Sequence, residues 1–419
     1  MNEHLLQYIW LHRLFNTKDL STEDHQSITI LHQGTHNKNQ GPDFLHARIY
    51  IGGIELVGSI EIHIKTSLWY RHSHSGDKHY GNVILHVVWE HDMPFDKTIP
   101  ILSLSGRVPL QVIKQYDSLI STEDVIPCAG RISSVSSLVI SMWKERMFAE
   151  RLNAKTEQLQ ALISGNQHHE EEVFWRMIFR AMGMPVNSDA FEAIFLNLPF
   201  KVWIQSASRV QVVESLLMGQ AHLLNDSLED PYLVMLSREF EFLKRKYHIG
   251  DVALLLSNLR MRPAHFPLLR LAQLASLLHL HPDLYAKMMR ADNVAEMRKL
   301  LMVTPNDFWH VHYTFKEKTY YQEKPIGVQM AEVILINVVL PFRYLLATQK
   351  RNIPAQLKVM EYFTTIKAER HQITKRWQQL GIVAENAFDT QALLHLKKNY
   401  CEQKRCLNCA IGRAILLPE

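Results

Sequence analysis

Two sets of side chains in this chain have types and spacing suited to chemistry. The first is Asp43, in Gly41-Pro42-Asp43-Phe44, followed by Glu61, His63 and Lys65. Residues two and four apart on a strand share a face. An acid, an imidazole and an amine therefore point the same way, and Asp43, at the start of the preceding hairpin arm, approaches Glu61 across the strand pair. Two adjacent carboxylates bind a hard divalent cation, Mg²⁺ or Mn²⁺, through oxygen. A neighbouring lysine orients or deprotonates the attacking water, or stabilises phosphate charge. This is the chemistry of metal-assisted phosphodiester hydrolysis, with Asp43 and Glu61 as metal ligands.

The second set is sulfur. Three of the four cysteines lie in the tail, at Cys401, Cys406 and Cys409, and the fourth is Cys128. A C-x4-C-x2-C run lets one short loop aim three sulfurs at one ion or cluster, and Cys128 supplies a fourth that ties the tail to the N-terminal third. Four thiolates fit either zinc or a [4Fe–4S] cluster and leave no open position, so the expected role is structural. The plainer alternative is that the cysteines are small buried apolar residues.

Two further groups stand out. Of 23 histidines, His63, His72, His74, His79, His86 and His91 crowd one region. His72 and His74, with Asp77 and His79, have the makings of a transition-metal site, against the reading of a polar loop. His86 interrupts the apolar run from Val83 to Val88 and needs a polar partner, for which Glu61 or Asp43 would serve. In the second half, Arg262, His265 and Arg270 surround a helix start and suit an anionic substrate group, against arginine packing at a helix junction.

The elements that must position these residues are legible in outline. Residues 1–133 read as a mixed α/β domain: a helix from Glu3 to Phe15, then strands at Ile28–His32, Ala47–Ile51, Ile54–Lys65, Asn82–Trp89 and Ile99–Leu104, with Gly52-Gly53 as the turn of a hairpin. Residues 134–419 read as a large helical domain carrying the cysteine cluster, with helices expected over 137–163, 169–182, 188–197, 208–224, 231–247, 263–280, 327–349, 354–380 and 390–400. The fold class is therefore α+β: a mixed β-sheet domain followed by an all-α domain.

With 419 residues, 47% hydrophobic and 21% charged, the chain is expected to be globular. The longest apolar run, Val333 to Phe342, contains Asn337 and stops at Pro341, so a buried helix is expected rather than a membrane span. The N-terminus lacks a signal-peptide pattern, and a cytoplasmic location with reduced thiols is the default expectation. From Arg343 onward there are 13 Lys and Arg against 6 Asp and Glu. Such a basic third is compatible with a nucleic-acid backbone partner, and equally with a solvated helical surface.

Pro42-Asp43, some eighteen residues, then Glu61-x-His63-x-Lys65 resembles the PD-(D/E)-x-K nuclease superfamily. That resemblance implies Asp and Glu-x-Lys on adjacent strands of a mixed sheet, a preceding helix that supplies another Glu, here Glu3 as a secondary contributor, and a divalent cation. His63 stands where the superfamily has its lysine, and Lys65 comes two residues later. Some of these nucleases, the helicase-associated ones of bacterial break repair, carry one distant and three clustered cysteines on an iron–sulfur cluster. This layout is similar and tilts the expectation towards [4Fe–4S] over zinc, although here the lone cysteine follows the nuclease motif. The runs Gly41–Phe44, Glu61–Lys65, Trp69–His72, Ile84–Val88 and Arg405–Cys409 also resemble the pattern of a full-length bacterial family of unknown function. The expectation is thus a metal-dependent nuclease acting on DNA or RNA through Asp43, Glu61, His63, Lys65 and His86. Its rivals are a non-catalytic nucleic-acid-binding scaffold and a small-molecule hydrolase built on the histidines.

Overall fold

The computed structural model describes residues 1–417 apart from 38, 73–76, 96–97, 166–168, 225–228, 253–255, 258–261 and 317. The chain divides into two compact units. One comprises Met1–Glu145, Gln379–Ile382 and Leu394–Glu419, and the other Arg146–Gln378 and Val383–Leu393. The cysteine tail thus belongs to the same unit as the sheet.

The first unit is built on six strands: β1 (Ile28–His32), β2 (Thr35–His36), β3 (Phe44–Ile51), β4 (Ile54–Lys65), β5 (Val83–Glu90) and β6 (Ile101–Ser103). Their order is β1-β3-β4-β5-β6, with β2 also on β3. β3 and β4 form the expected hairpin, closing on the pair Ile51–Ile54. Gly52 and Gly53 both have positive φ, at 58° and 88°, as a two-residue loop matched to strand twist requires. β4–β5 and β5–β6 are parallel, and β4 sits centrally, with its residues 58–63 buried on both faces. Gly58 lets the chain before β5 come close: a Cβ there would lie 2.6 Å from the Asn82 carbonyl oxygen and 2.5 Å from Ile84 Cγ2.

Helix α1 (Glu3–Leu11) packs on β4. Asn2 caps it, its side chain accepting from the Leu5 amide at 2.8 Å, and Leu5, Leu6, Ile9 and Trp10 are fully buried. The crossover from β4 to β5, expected as a loop, contains a helical turn α2 (Leu68–Arg71) and a 3₁₀ turn at Lys78–Tyr80. The helix α3 (Leu110–Ser121) was not foreseen.

The second unit is helical. Helices at Glu170–Met182, Ser188–Leu196, Val210–Gln220, Pro231–Tyr247 and Pro267–Leu280 lie within a few residues of expectation. The segment expected as one helix over 354–380 is two, Ile353–Thr365 and Gln372–Gln379. It breaks where Ile366 is buried and Lys367 bridges to Asn386. Val328–Gln349 forms one helical run of 22 residues, long and apolar enough to cross a bilayer, although 67% of its apolar window is buried inside the protein. Pro341 does not end it, because a π-turn at Leu335–Val339 precedes the proline. Proline cannot donate back along the helix, and the Ile336 carbonyl accepts instead from Lys155 Nζ at 3.3 Å.

Candidate functional site

Asp43 immediately precedes β3, just before a register shift between Phe44 and Ala47 where His46 has φ 60°. Such a bulge re-aims the strand end. Glu61 lies on β4, and the two residues are locked together. The Asp43 amide donates to Glu61 Oε2 at 3.1 Å, and the Ile62 amide donates to Asp43 Oδ2 at 2.9 Å. Gln7 on α1 donates to Asp43 Oδ1 at 2.8 Å. Glu3, four residues earlier and so on the same helix face, contributes its charge to both carboxylates.

Glu61 is 5% exposed. Burial pushes its carboxyl well above the usual range, and the charges of Asp43 and Glu3 add to the rise. Burial raises Asp43 as well, opposed by the Ile62 amide and aided by Glu3. Burial is also the main cause of the raised Glu3, with His72 acting against it. Three acids gathered in a half-dry site are each harder to ionise than in water, and a cation placed among them would relieve that repulsion. Tyr80 is pushed up to about 12, first by burial, then by Glu61 and Asp43, so its hydroxyl remains a donor at neutral pH.

Beside the carboxylates runs a chain of imidazoles. His63 Nε2 lies 3.5 Å from Glu61 Oε1 and 3.1 Å from His72 Nδ1, and His63 Nδ1 lies 3.0 Å from His86 Nε2. His63 and His86 are fully buried, whereas His72 is exposed. Trp69 packs 5.1 Å from His86, and Phe95 5.4 Å from it, so aromatic rings wall the buried end.

The structure brings Asp43, Glu61, His63, His86 and Glu3 together. Lys65 lies at the exposed end of β4 with its Nζ 3.6 Å from Glu90 Oε2, its register partner on β5. Asp77 is engaged by His79, at 2.6 Å from Nδ1, and His74 lies outside the described residues. Gln7, Tyr80 and the His63–His72 link escaped the sequence reading. Only Gln7 left a signal there, four residues after Glu3.

All four cysteines are buried free thiols and line one cavity of about 20 Å³, with Tyr400, Arg405 and Gly412. Burial raises every thiol, and neighbouring thiols raise Cys128, Cys401 and Cys406 further, Cys128 to about 12 and Cys406 to about 11. The amides of Ile411 and Gly412 and the Trp143 side chain donate to Cys409. Among the described residues, no group of three or more His, Cys, Asp or Glu is already arranged to hold a metal ion. Of the proposed anion-binding trio, Arg270 Nη2 and His265 Nδ1 meet at 3.2 Å, and Arg262 lines a cavity with both.

No curated protein and no solved structure matches the chain. The family model described as a protein of unknown function (DUF2851) matches residues 3–372, and the chain belongs to that family.

Proposed function

We propose that the sheet unit carries a metal-dependent phosphodiesterase site that cleaves DNA or RNA. The observation that carries this reading is the Asp43–Glu61 pair: two largely buried carboxylates, one just before β3 and one on β4, cross-fastened by backbone amides and both held up by burial. Asp43, Glu61 and Glu3 would hold a Mg²⁺ or Mn²⁺ ion, which when bound supplies Lewis-acid stabilisation of the phosphate and of the attacking water. Gln7 and the Ile62 amide fix the Asp43 carboxylate. His63 accepts a proton at Nε2 and passes charge to His72 at the surface, while His86 holds the other ring nitrogen. Tyr80 donates to developing negative charge.

Purified protein should cleave single- or double-stranded DNA or RNA with Mn²⁺ or Mg²⁺, and Asp43→Asn and Glu61→Gln should each lower the rate at least about a hundredfold. Nucleic acid bound without cleavage by the parent protein would favour a non-catalytic binding module.

The four cysteines fit a structural metal, since the donor set is all sulfur and shares one cavity. That cavity has room for about one water-sized sphere. A single zinc ion is therefore the better fit, and a [4Fe–4S] cluster would require the thiols to spread.

A further inference from the structure

We infer that the cavity beside the start of helix Pro267–Leu280, in the helical unit, binds a small molecule bearing a phosphate or carboxylate group through Arg270. The inference is independent of the sheet site. Arg270 is 6% exposed, and its two hydrogen-bond partners are Gln273 Oε1 and His265 Nδ1, both at 3.2 Å. Neither is an acid, and no carboxylate pairs with Arg270 among the described residues. Two other sheltered arginines of this unit do have acids, Arg176 with Glu192 at 2.7 Å and Arg298 with Glu332 at 3.1 Å, whereas Arg151 and Arg343 donate to neutral oxygens of Gln391, Met288 and Ala291. A buried guanidinium without a counter-charge is costly, and a bound oxyanion would supply one in bidentate geometry.

The surroundings fit that role. Arg270 stands between two cavities. One, of about 390 Å³, is lined by His265, Gln273, Tyr313, Lys324 and Gly327 among others. The other, of about 440 Å³, includes Arg262 and His265. Both are of small-ligand size. Burial, with the charges of Arg270 and Arg262, holds His265 below its ordinary range, so it is neutral at physiological pH. Lys324 adds positive charge, its Nζ donating to the Trp309 and His310 carbonyls at 2.7 Å each. Among the described residues, Glu323 is the one acid on the lining of the first cavity, and it is solvent-exposed.

The test is calorimetric titration of the full chain with inorganic phosphate and with succinate at fixed ionic strength. Saturable binding of at least one probe is expected, and the preferred probe distinguishes a phosphate from a carboxylate ligand. Arg270→Gln should weaken binding at least tenfold. Gly327→Leu places a side chain on the cavity wall, where a Cβ meets nothing within 4 Å. It should weaken binding at least fivefold, and it decides the matter if Arg270→Gln does not fold. No saturable binding of either probe by the parent, or unchanged affinity in a folded variant, would overturn the inference.

Discussion

His63 Nδ1 and His86 Nε2 stand 3.0 Å apart across the parallel β4–β5 pair, both rings fully buried. Each link of an imidazole chain needs one proton, so neutral His63 can share its single proton with only one neighbour. The other link must take its proton from His86 or His72. Proton transfer from His63 to the surface therefore runs through His72, with His86 holding the other ring nitrogen. In a cleavage assay with Mn²⁺, His63→Ala should lose activity on the order of 10²-fold or more. Lys65→Ala, already engaged by Glu90 at the surface, should stay within about threefold. If Lys65→Ala proves as inactive as His63→Ala, the lysine holds the role assigned here to histidine.

The cysteine cavity leads to an expectation about metal content. Protein purified without oxygen should carry about one zinc per chain, and Cys406→Ser should lose it together with several kcal/mol of stability. Because burial and neighbouring thiols keep the free thiols protonated, zinc uptake by the stripped protein should release protons, which a weakly buffered titration would read. About four irons per chain and visible absorption would establish a cluster instead. Absence of any bound metal would leave the cysteines as packing.

Glu214, fully buried in the helical unit, accepts from Asn306 Nδ2 at 2.7 Å, from Trp309 Nε1 at 3.0 Å and from the Tyr232 hydroxyl. Burial nevertheless raises it to about 7. Between its ordinary value of 4.5 and about 7, the folded protein binds more protons at this residue than the unfolded chain. Its contribution therefore falls as pH rises through that window and is lost above it. Glu214→Gln should remove this slope. Relative to the variant, the parent should lose on the order of 2–3 kcal/mol from pH 4.5 to 7, measured as the difference in thermal midpoint at each pH. Parallel pH profiles would refute the assignment.

Gly58→Ala tests the close approach of β4 to the chain before β5. A methyl 2.5 Å from Ile84 Cγ2 and 2.6 Å from the Asn82 carbonyl oxygen must displace backbone. The expected cost is about 1–3 kcal/mol, read from denaturant unfolding. Because Glu61 lies three residues on, cleavage should fall as well. A variant as stable as the parent would show that the strands separate easily.

The β3–β4 hairpin was legible because its signals are local: Gly52-Gly53 and the alternating residues beside it specify turn and register together. The pairing of His63 with His86 was not legible. It depends on a parallel crossover of some twenty residues whose register no local pattern encodes. Lys65 was assigned to the site by strand periodicity and by its likeness to the nuclease lysine, whereas Glu90 engages it at the exposed end of β4. The break near Ile366 has no proline or glycine to announce it and follows from tertiary burial. Pro341 lies inside the helix expected over 327–349 and does not interrupt it: a π-turn carries the helix past the proline, with Lys155 from another helix satisfying the freed carbonyl.

The sheet unit is discontinuous in sequence, with residues 394–419 returning to it after the helical unit has been completed. A chain emerging from the ribosome therefore holds the whole helical unit before the last segment of the sheet unit exists. Domains generally fold as they are made, so the helical unit, although second in sequence, would finish first. The sheet unit would then be completed last, when the cysteine-bearing tail docks, although most of its residues are made first.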